Sequence, residues 1–469
     1  MKKLNSHSSS IYYFIIVFVI LIIFKSFDLQ TFPFWDEPTY VVDLLDNSWK
    51  MFIPGYEKEY SYTPHIFGYS FILYLGKFIL GSSIVSLRIM ALINFIFLSL
   101  GILKCSRIFN ISKNESVSIT LSVLLIPIVF TYTTFIQPDL FVFSFGIWCW
   151  NFYMKGRMKE FYIFSLIASI IFEPIQAFLV PIYIYELLKA LKTKNIKNLS
   201  LAILSGCSLL IAYLFYRFIT IGKFLHHNVL DEKGLTSIEW FSISQSKLVV
   251  LDDMFNSILY QSAWPLMVLI TLASYGLIKK NIDKNIKTFL IFSAITSLSF
   301  IFFWFSFDEF HPRNMMSVYI LILLNSILLA HQYLAKNIIV VYITLALFSF
   351  VQNMMIFSWQ TPDSQYQTYK SSIQSIHDTY NYIEMNKIKS ISCNWPICEH
   401  IKSLSSQRKY SLNISRFYEN KSILNDYIIS IPFQQSQVDY ELLKNSIKTH
   451  STIYNKSYKN VNVQILKRK

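Results

Sequence analysis

Two adjacent carboxylates, Asp36 and Glu37, follow the first apolar segment of the chain within a few residues. A carboxylate near a bilayer is tolerated where it faces water, a cavity or a charged partner. In such a place it can take a proton from an attacking hydroxyl or amine, which is general-base chemistry. The alternative is a solvated acidic loop, since charges are common beside membrane segments.

Asp139 is a second acid with two interpretations. It follows Gln137 and Pro138 at the start of an apolar run. A proline there indicates the beginning of a helix, where the helix dipole favours a carboxylate by about 0.3 to 1 kcal/mol. Asp139 is therefore either a charge that stabilises the helix end or a partner of Asp36, one acid taking a proton while the other orients the acceptor.

Arg313 ends a short charged patch, residues 308–313, between two long apolar runs. The helix dipole disfavours a cation at the start of a helix, so an anion should compensate. That anion is either a neighbouring carboxylate such as Asp308 or the phosphate of a ligand, which arginine grips through two parallel hydrogen bonds. Arg88, near one end of another apolar run, raises the same question, with contact to lipid headgroups as its alternative.

The composition places these residues in a membrane protein. Of 469 residues, 53% are hydrophobic and only 15% are charged, against about 25% charged in soluble domains. The excess of 42 Lys and Arg over 28 Asp and Glu lies largely in short clusters between apolar runs, where it reports orientation and not nucleic-acid binding. The sequence therefore predicts an all-α polytopic membrane protein.

Eleven apolar segments approach the roughly 20 residues that a membrane span needs. They lie at residues 11–27, 84–104, 115–133, 138–154, 160–173, 174–190, 199–220, 263–279, 287–306, 314–332 and 337–357. A twelfth run, 66–80, would place the following basic loop on the side opposite the basic N-terminus if it were a span. We therefore expect it to lie at the outer interface, with the N-terminus cytoplasmic.

The break at Glu173 and Pro174 decides the later topology. Proline removes a backbone donor and disfavours helix at the residue before it. Two short helices that meet at the outer face are predicted, with Glu173 near the external surface. A single kinked span is the alternative, and it would place the later basic loops outside.

The predicted organisation is a transmembrane domain, 1–357, with outer-face loops 28–83 and 221–262, and an extracytoplasmic domain, 358–469. The second is polar, and its pattern predicts a small α/β domain with helices 363–385, 396–405 and 438–448 and strands 390–393 and 427–431 before a final strand pair. Cys393 and Cys398 are either a local disulfide or two free thiols. With His400 they would make only a weak zinc site.

The order of several motifs resembles the GT-C glycosyltransferases, in particular the bacterial aminoarabinose transferase of lipid A and the protein O-mannosyltransferases. The motifs are Asp36-Glu37 after the first span, the proline motif Tyr62-Thr63-Pro64-His65, Arg88, Pro138-Asp139 and His311-Pro312-Arg313. This chain has Thr63-Pro64-His65 where the aminoarabinose transferase pattern has Lys-Pro-Pro, and Glu173-Pro174 where that pattern has Lys-Gly. Both changes remove a cation and suggest another sugar or acceptor.

The resemblance implies an integral membrane glycosyltransferase that moves a sugar from a polyprenyl phosphate to a lipid, glycan or protein. The predicted topology places the reaction on the extracytoplasmic face, and the abundance of Ile, Lys and Asn indicates a bacterial plasma membrane. The resemblance also implies an inverting displacement with Asp36 as base, Glu37 and Asp139 as supporting acids, and Arg313, Arg88, His311, His65 and Glu173 as substrate-binding residues. No cofactor is certain, and a divalent cation at Asp36 and Asp139 stays open because some family members use one. The alternatives are a transporter or flippase of an anionic substrate, whose midplane charges and internal repeat are not evident, and a surface-polysaccharide polymerase or ligase.

Overall fold

The computed structural model describes residues 67–81, 83–134, 136–221, 245–279, 282–305, 312–334, 366–393, 397–416, 426–430, 448–458 and 461–469, with four single residues of the first apolar run. These residues fall into two compact units, one within 67–334 and one within 366–469. The predicted domain boundary at 357 lies outside the described residues.

The described part of the first unit is helical. Its helices are α1 (Phe67–Leu80), α2 (Ile84–Ser106), α3 (Lys113–Leu124), α4 (Pro127–Tyr132), α5 (Asp139–Met154), α6 (Met158–Ala168), α7 (Gln176–Thr193), α8 (Lys197–Ile221), α9 (Gln245–Lys279), α10 (Lys284–Phe305) and α11 (Met316–Tyr333). Short 3-10 turns at Arg107–Phe109, Glu173–Ile175 and Pro312–Met315 end α2 and lead into α7 and α11.

Five helical segments among the described residues are long and apolar enough to cross a membrane. They are Ile84–Phe109, Glu173–Thr193, Lys197–Tyr216, Lys284–Phe303 and Arg313–Tyr333. The chain is an integral membrane protein. The predicted total of eleven spans stays a prediction, because the first and last of them lie almost wholly outside the described residues.

Two predicted segments have more internal structure than the sequence analysis gave them. The continuous span at 115–133 is divided into α3 and α4, since Pro127, the first residue of α4, cannot donate a hydrogen bond to the preceding turn. The loop predicted at 221–262 is helical from Gln245 onward. There α9 continues into the predicted span 263–279 across a kink at Ser262, whose φ is −140°.

One local prediction is confirmed. The break predicted at Glu173 and Pro174 is present as the turn between α6 and α7. Helix α1 has 14 described residues, about 21 Å at roughly 1.5 Å each. The residues directly before Phe67 lie outside the described ranges, so the exclusion of α1 as a span stays a prediction. Whether α1 lies at the outer interface stays a prediction as well.

Helix α11 is the most buried of the five candidate spans, because 94% of its 18-residue apolar stretch is buried inside the unit. It packs against α5, α9 and α10. Helix α8, by contrast, is 11% buried by the same measure, so its apolar side chains are available to lipid. The core that supports the site is therefore built around α11.

The second unit is a mixed sheet with helices. Its elements are α12 (Tyr366–Met385), β1 (Ser390–Cys393), α13 (Ile397–Gln407), β2 (Asn413–Arg416), β3 (Tyr427–Ser430), β4 (His450–Tyr458) and β5 (Val461–Arg468). The strand order is β2-β1-β3-β5-β4, with β1 parallel to β2 and β3 and the other pairs antiparallel.

This topology confirms the predicted α/β class of the C-terminal region. Strand β2 was not predicted, and the predicted helix 438–448 lies almost wholly outside the described residues. Cys393, at the end of β1, is joined to Cys398 of α13 by a disulfide. The disulfide holds α13 against the strand that precedes it.

Candidate active site

A small cavity in the first unit is lined by two of the predicted site residues. Its lining is contributed by α5, by the turns before α7 and α11, and by α10 and α11 themselves. The lining residues are Asp139, Val142, Phe172, Pro174, Phe300, Arg313, Asn314 and Ser317. Asp139 and Arg313, which are 174 positions apart in the sequence, therefore border one space.

The beginnings of three helices border this cavity. Asp139 is the first residue of α5, Pro174 lies in the turn that leads into α7, and Arg313 lies in the turn that leads into α11. A helix N-terminus carries a partial positive charge and free amide donors. Together with the Arg313 guanidinium, these ends make the cavity suited to an anion.

Asp139 provides the negative charge of the site. Proline at position 138 precedes it, and the amide of Val142 donates to the Pro138 carbonyl at 3.1 Å, which closes the first turn of α5. The side chain is buried, with 9% of its surface exposed. Hydrogen bonds and nearby cations favour the ionised form of a carboxylate, and the partial positive charge at the first turn of a helix acts in the same direction.

Arg313 provides the positive charge. It lies in the 3-10 turn Pro312–Met315 and is partly exposed, whereas Asn314 and Ser317, which follow it at one-residue and one-turn spacing, are buried. All three line the cavity. A guanidinium beside an amide and a hydroxyl is a set of donors that fits the oxygens of a phosphate group.

Contacts between helices fix the relative positions of these ends. The Trp150 indole nitrogen of α5 donates to the Phe178 carbonyl of α7 at 2.8 Å. The Thr296 hydroxyl of α10 donates to the Ala177 carbonyl of α7 at 2.9 Å. Helices α5, α7 and α10 are thereby tied together near the cavity, and Gly146 allows the close approach of α5 to Phe178, because a side chain there would overlap the ring.

The other predicted site residues are distributed differently. Arg88 is fully buried in α2, which excludes contact with lipid headgroups, and it is not among the described residues that line the cavity. Glu173 lies in the turn whose neighbours Phe172 and Pro174 line it. Asp36, Glu37, His65 and His311 lie outside the described residues, so their roles stay predictions.

Sequence reasoning missed five of the lining residues, among them Asn314, which directly follows Arg313. Phe300, Val142 and Phe172 are aromatic or aliphatic residues in apolar runs, and nothing in their pattern separates them from core residues. Ser317 had a usable signal, since it lies four positions after Arg313 and therefore on the same helix face.

Within the described ranges, no group of three or more His, Cys, Asp or Glu side chains is close enough to hold a metal ion. The predicted cation site would need Asp36 as well as Asp139.

No protein-family model matches the chain, and no curated protein matches it in sequence. Solved structures do match. The crystal structure of ArnT from Cupriavidus metallidurans in the apo state has a TM-score of 0.51 and 9% sequence identity, and the match covers 98% of this chain and 98% of that one. ArnT from the same organism bound to undecaprenyl phosphate gives a TM-score of 0.51 and 10% identity over 97% of each chain. The chain therefore has the fold of ArnT over nearly its whole length, as the sequence resemblance predicted.

Proposed function

We propose that this protein is a membrane glycosyltransferase that takes its sugar from a polyprenyl phosphate donor. One observation carries the proposal. Asp139 and Arg313 border the same cavity, at the beginnings of three helices. The similarity in fold to ArnT, including a structure of that protein bound to undecaprenyl phosphate, supports the same donor class.

Arg313 is assigned to the phosphate of the donor. As the bond between the anomeric carbon and the phosphate oxygen breaks, negative charge grows on the leaving polyprenyl phosphate. A guanidinium that interacts more strongly with this charge in the transition state than with the donor in the ground state lowers the activation barrier. The dipoles of α5, α7 and α11 act in the same direction.

The acids are assigned to the acceptor. The acceptor oxygen or nitrogen attacks the anomeric carbon, its proton passes to the Asp36 carboxylate, and the polyprenyl phosphate leaves with the electron pair of the broken bond. Asp139 orients the acceptor in the cavity, and Glu37 supports Asp36. Attack from the side opposite the leaving group inverts the anomeric configuration. The reaction is assigned to the extracytoplasmic face, following the distribution of basic loops in the sequence.

The test is binding of undecaprenyl phosphate to the purified full chain, measured by microscale thermophoresis. Arg313→Ala removes two charge-assisted hydrogen bonds, each worth about 1.5 to 3 kcal/mol, so we expect the Kd to rise at least tenfold. Arg313→Lys keeps the charge without the planar fork and should give an intermediate Kd.

The matched control is Lys287→Ala, which removes an exposed cation from the other end of α10. It should leave the Kd unchanged. Equal affinities for the wild type, Arg313→Ala and Lys287→Ala would contradict the assignment of the phosphate to Arg313. Release of polyprenyl phosphate from lipid-linked sugars in native membranes then separates a transferase from a flippase, because only the transferase breaks the glycosidic bond.

A further inference from the structure

A second cavity lies at the opposite end of α5 from Asp139. Four cationic side chains line it, together with an amide and two aromatic rings. The lining residues are Lys104, Arg107, Trp148, Asn151, Phe152, Lys155 and Arg157. The mechanism proposed above uses none of them.

The positive charge exceeds what the protein offsets locally. Helices α2 and α5 both end here, and each helix C-terminus carries about half a negative charge. Glu160 forms an ion pair with Arg157 at 2.6 Å. Together these groups offset about half of the four cationic charges.

The pKa of Lys155 reflects this crowding. Burial lowers it from the ordinary value, and the neighbouring cations Lys104, Arg157 and Arg107 lower it further, against an opposing contribution from Cys105. An anion that entered the cavity would relieve the repulsion among these side chains.

Contacts with aromatic rings and a backbone carbonyl hold the side chains that line the cavity in place, and they leave the cationic groups exposed. Lys104 lies over the Trp148 ring at 5.3 Å and Arg157 over the Phe152 ring at 5.3 Å. The Trp148 indole nitrogen donates to the Phe97 carbonyl at 3.0 Å. A cluster of basic residues that only sets membrane orientation needs no such cavity.

Asn151 provides a hydrogen-bond acceptor in the lining of the cavity. It is 2% exposed, and its amide nitrogen donates to the Gly101 carbonyl at 2.9 Å. Its amide oxygen is buried and accepts no hydrogen bond from the residues that the structure describes. A hydroxyl group beside the phosphate of a ligand would satisfy it.

We propose that this cavity binds the headgroup of an acidic phospholipid that carries hydroxyl groups, with the phosphate on Arg107 and Lys155 and a hydroxyl on Asn151. The cavity lies at the end of Ile84–Phe109, a candidate membrane span. A lipid in the adjoining leaflet can therefore reach it, and basic pockets between the ends of spans are suited to anionic headgroups. The proposal is independent of the sugar-transfer reaction.

The test uses the delipidated full chain and native mass spectrometry, with dioleoyl phosphatidylglycerol, dioleoyl phosphatidic acid, dioleoyl phosphatidylcholine and free glycerol 3-phosphate as probes. Phosphatidylglycerol should bind more tightly than the other three. Each cation near a lipid phosphate contributes enough that losing two weakens binding by roughly 30-fold. We expect that loss in Arg107→Gln/Lys155→Gln.

The matched control is Lys192→Gln/Lys197→Gln, which removes the same charge from exposed lysines. These lysines lie at the same end of the helices, since Tyr153 of α5 donates a hydrogen bond to Glu186 of α7 at 2.6 Å and both helices begin at the first cavity. If phosphatidylglycerol binding weakened equally in the two double variants, the loss would be due to general surface charge, and the proposal would be overturned. Glycerol 3-phosphate binding as tightly as the lipid, or phosphatidic acid binding as tightly as phosphatidylglycerol, would also overturn it.

Discussion

At the scale of single residues, Asp139 and Arg313 carry opposite charges into one cavity and should therefore affect different steps. Asp139→Asn keeps the size of the side chain and removes its charge. Undecaprenyl phosphate should still bind, while sugar transfer in native membranes should fall by about 100-fold, because a misplaced acceptor loses the alignment needed for attack. A variant that transfers sugar at the parental rate would exclude Asp139 from the reaction.

The two acids Asp36 and Glu37 are adjacent but are assigned unequal roles. Asp36→Asn should abolish transfer because the acceptor loses its base, and donor binding should be retained. Glu37→Gln is the matched control and should keep most of the activity. If Glu37→Gln were the inactive variant and Asp36→Asn the active one, the roles of the two carboxylates would have to be exchanged.

At the scale of elements, α1 depends on a glycine at its contact with the residues that directly follow α6. The Gly68 amide donates to the Ile170 carbonyl at 2.9 Å, and a side chain at 68 would overlap that carbonyl group. Gly68→Ala should cost about 1 to 3 kcal/mol and lower the Tm in detergent. Gly76→Ala, on the same helix, would overlap the Met90 side chain, which can change rotamer, and no backbone atom, so it should lower the Tm less. Equal Tm values for the two variants would contradict this packing.

The disulfide of the second unit links β1 to α13 across five positions of the chain. Closing so short a loop stabilises the fold by about 2 kcal/mol through the entropy of the unfolded state. Reducing agent should therefore speed proteolysis of the C-terminal unit in the wild type. It should have no effect on Cys393→Ser/Cys398→Ser, and equal sensitivity of both proteins would show that the linkage does not form.

Helices and turns could be predicted where the signal is local, as with a proline or the length of an apolar run. The turn at Glu173 and Pro174 follows from such a signal, and the break before Pro127 could have been found in the same way. Strand β2 was missed because its four residues, Asn413–Arg416, have no alternating apolar pattern. Its pairing with β1 depends on a partner 23 positions away.

At the scale of the whole molecule, composition predicted the membrane class, and the order of motifs predicted the fold that ArnT shares. The site was predictable only in part. Asp139 and Arg313 were each identified as a charged residue at the start of an apolar run. The cavity that they share depends on packing among α5, α7, α10 and α11, and no local sequence pattern predicts that packing. Phe300 contributes to the cavity for the same reason and could not be distinguished from the core.

The most direct test of the central claim is mass spectrometry of the lipids that co-purify with the full chain, compared between the wild type and Arg313→Ala. We predict a polyprenyl phosphate, with or without its sugar, in the wild-type sample, and its depletion in the variant while the Tm of the protein is retained. Bulk phospholipids alone in both samples, or an equal amount of polyprenyl phosphate in both, would contradict the account.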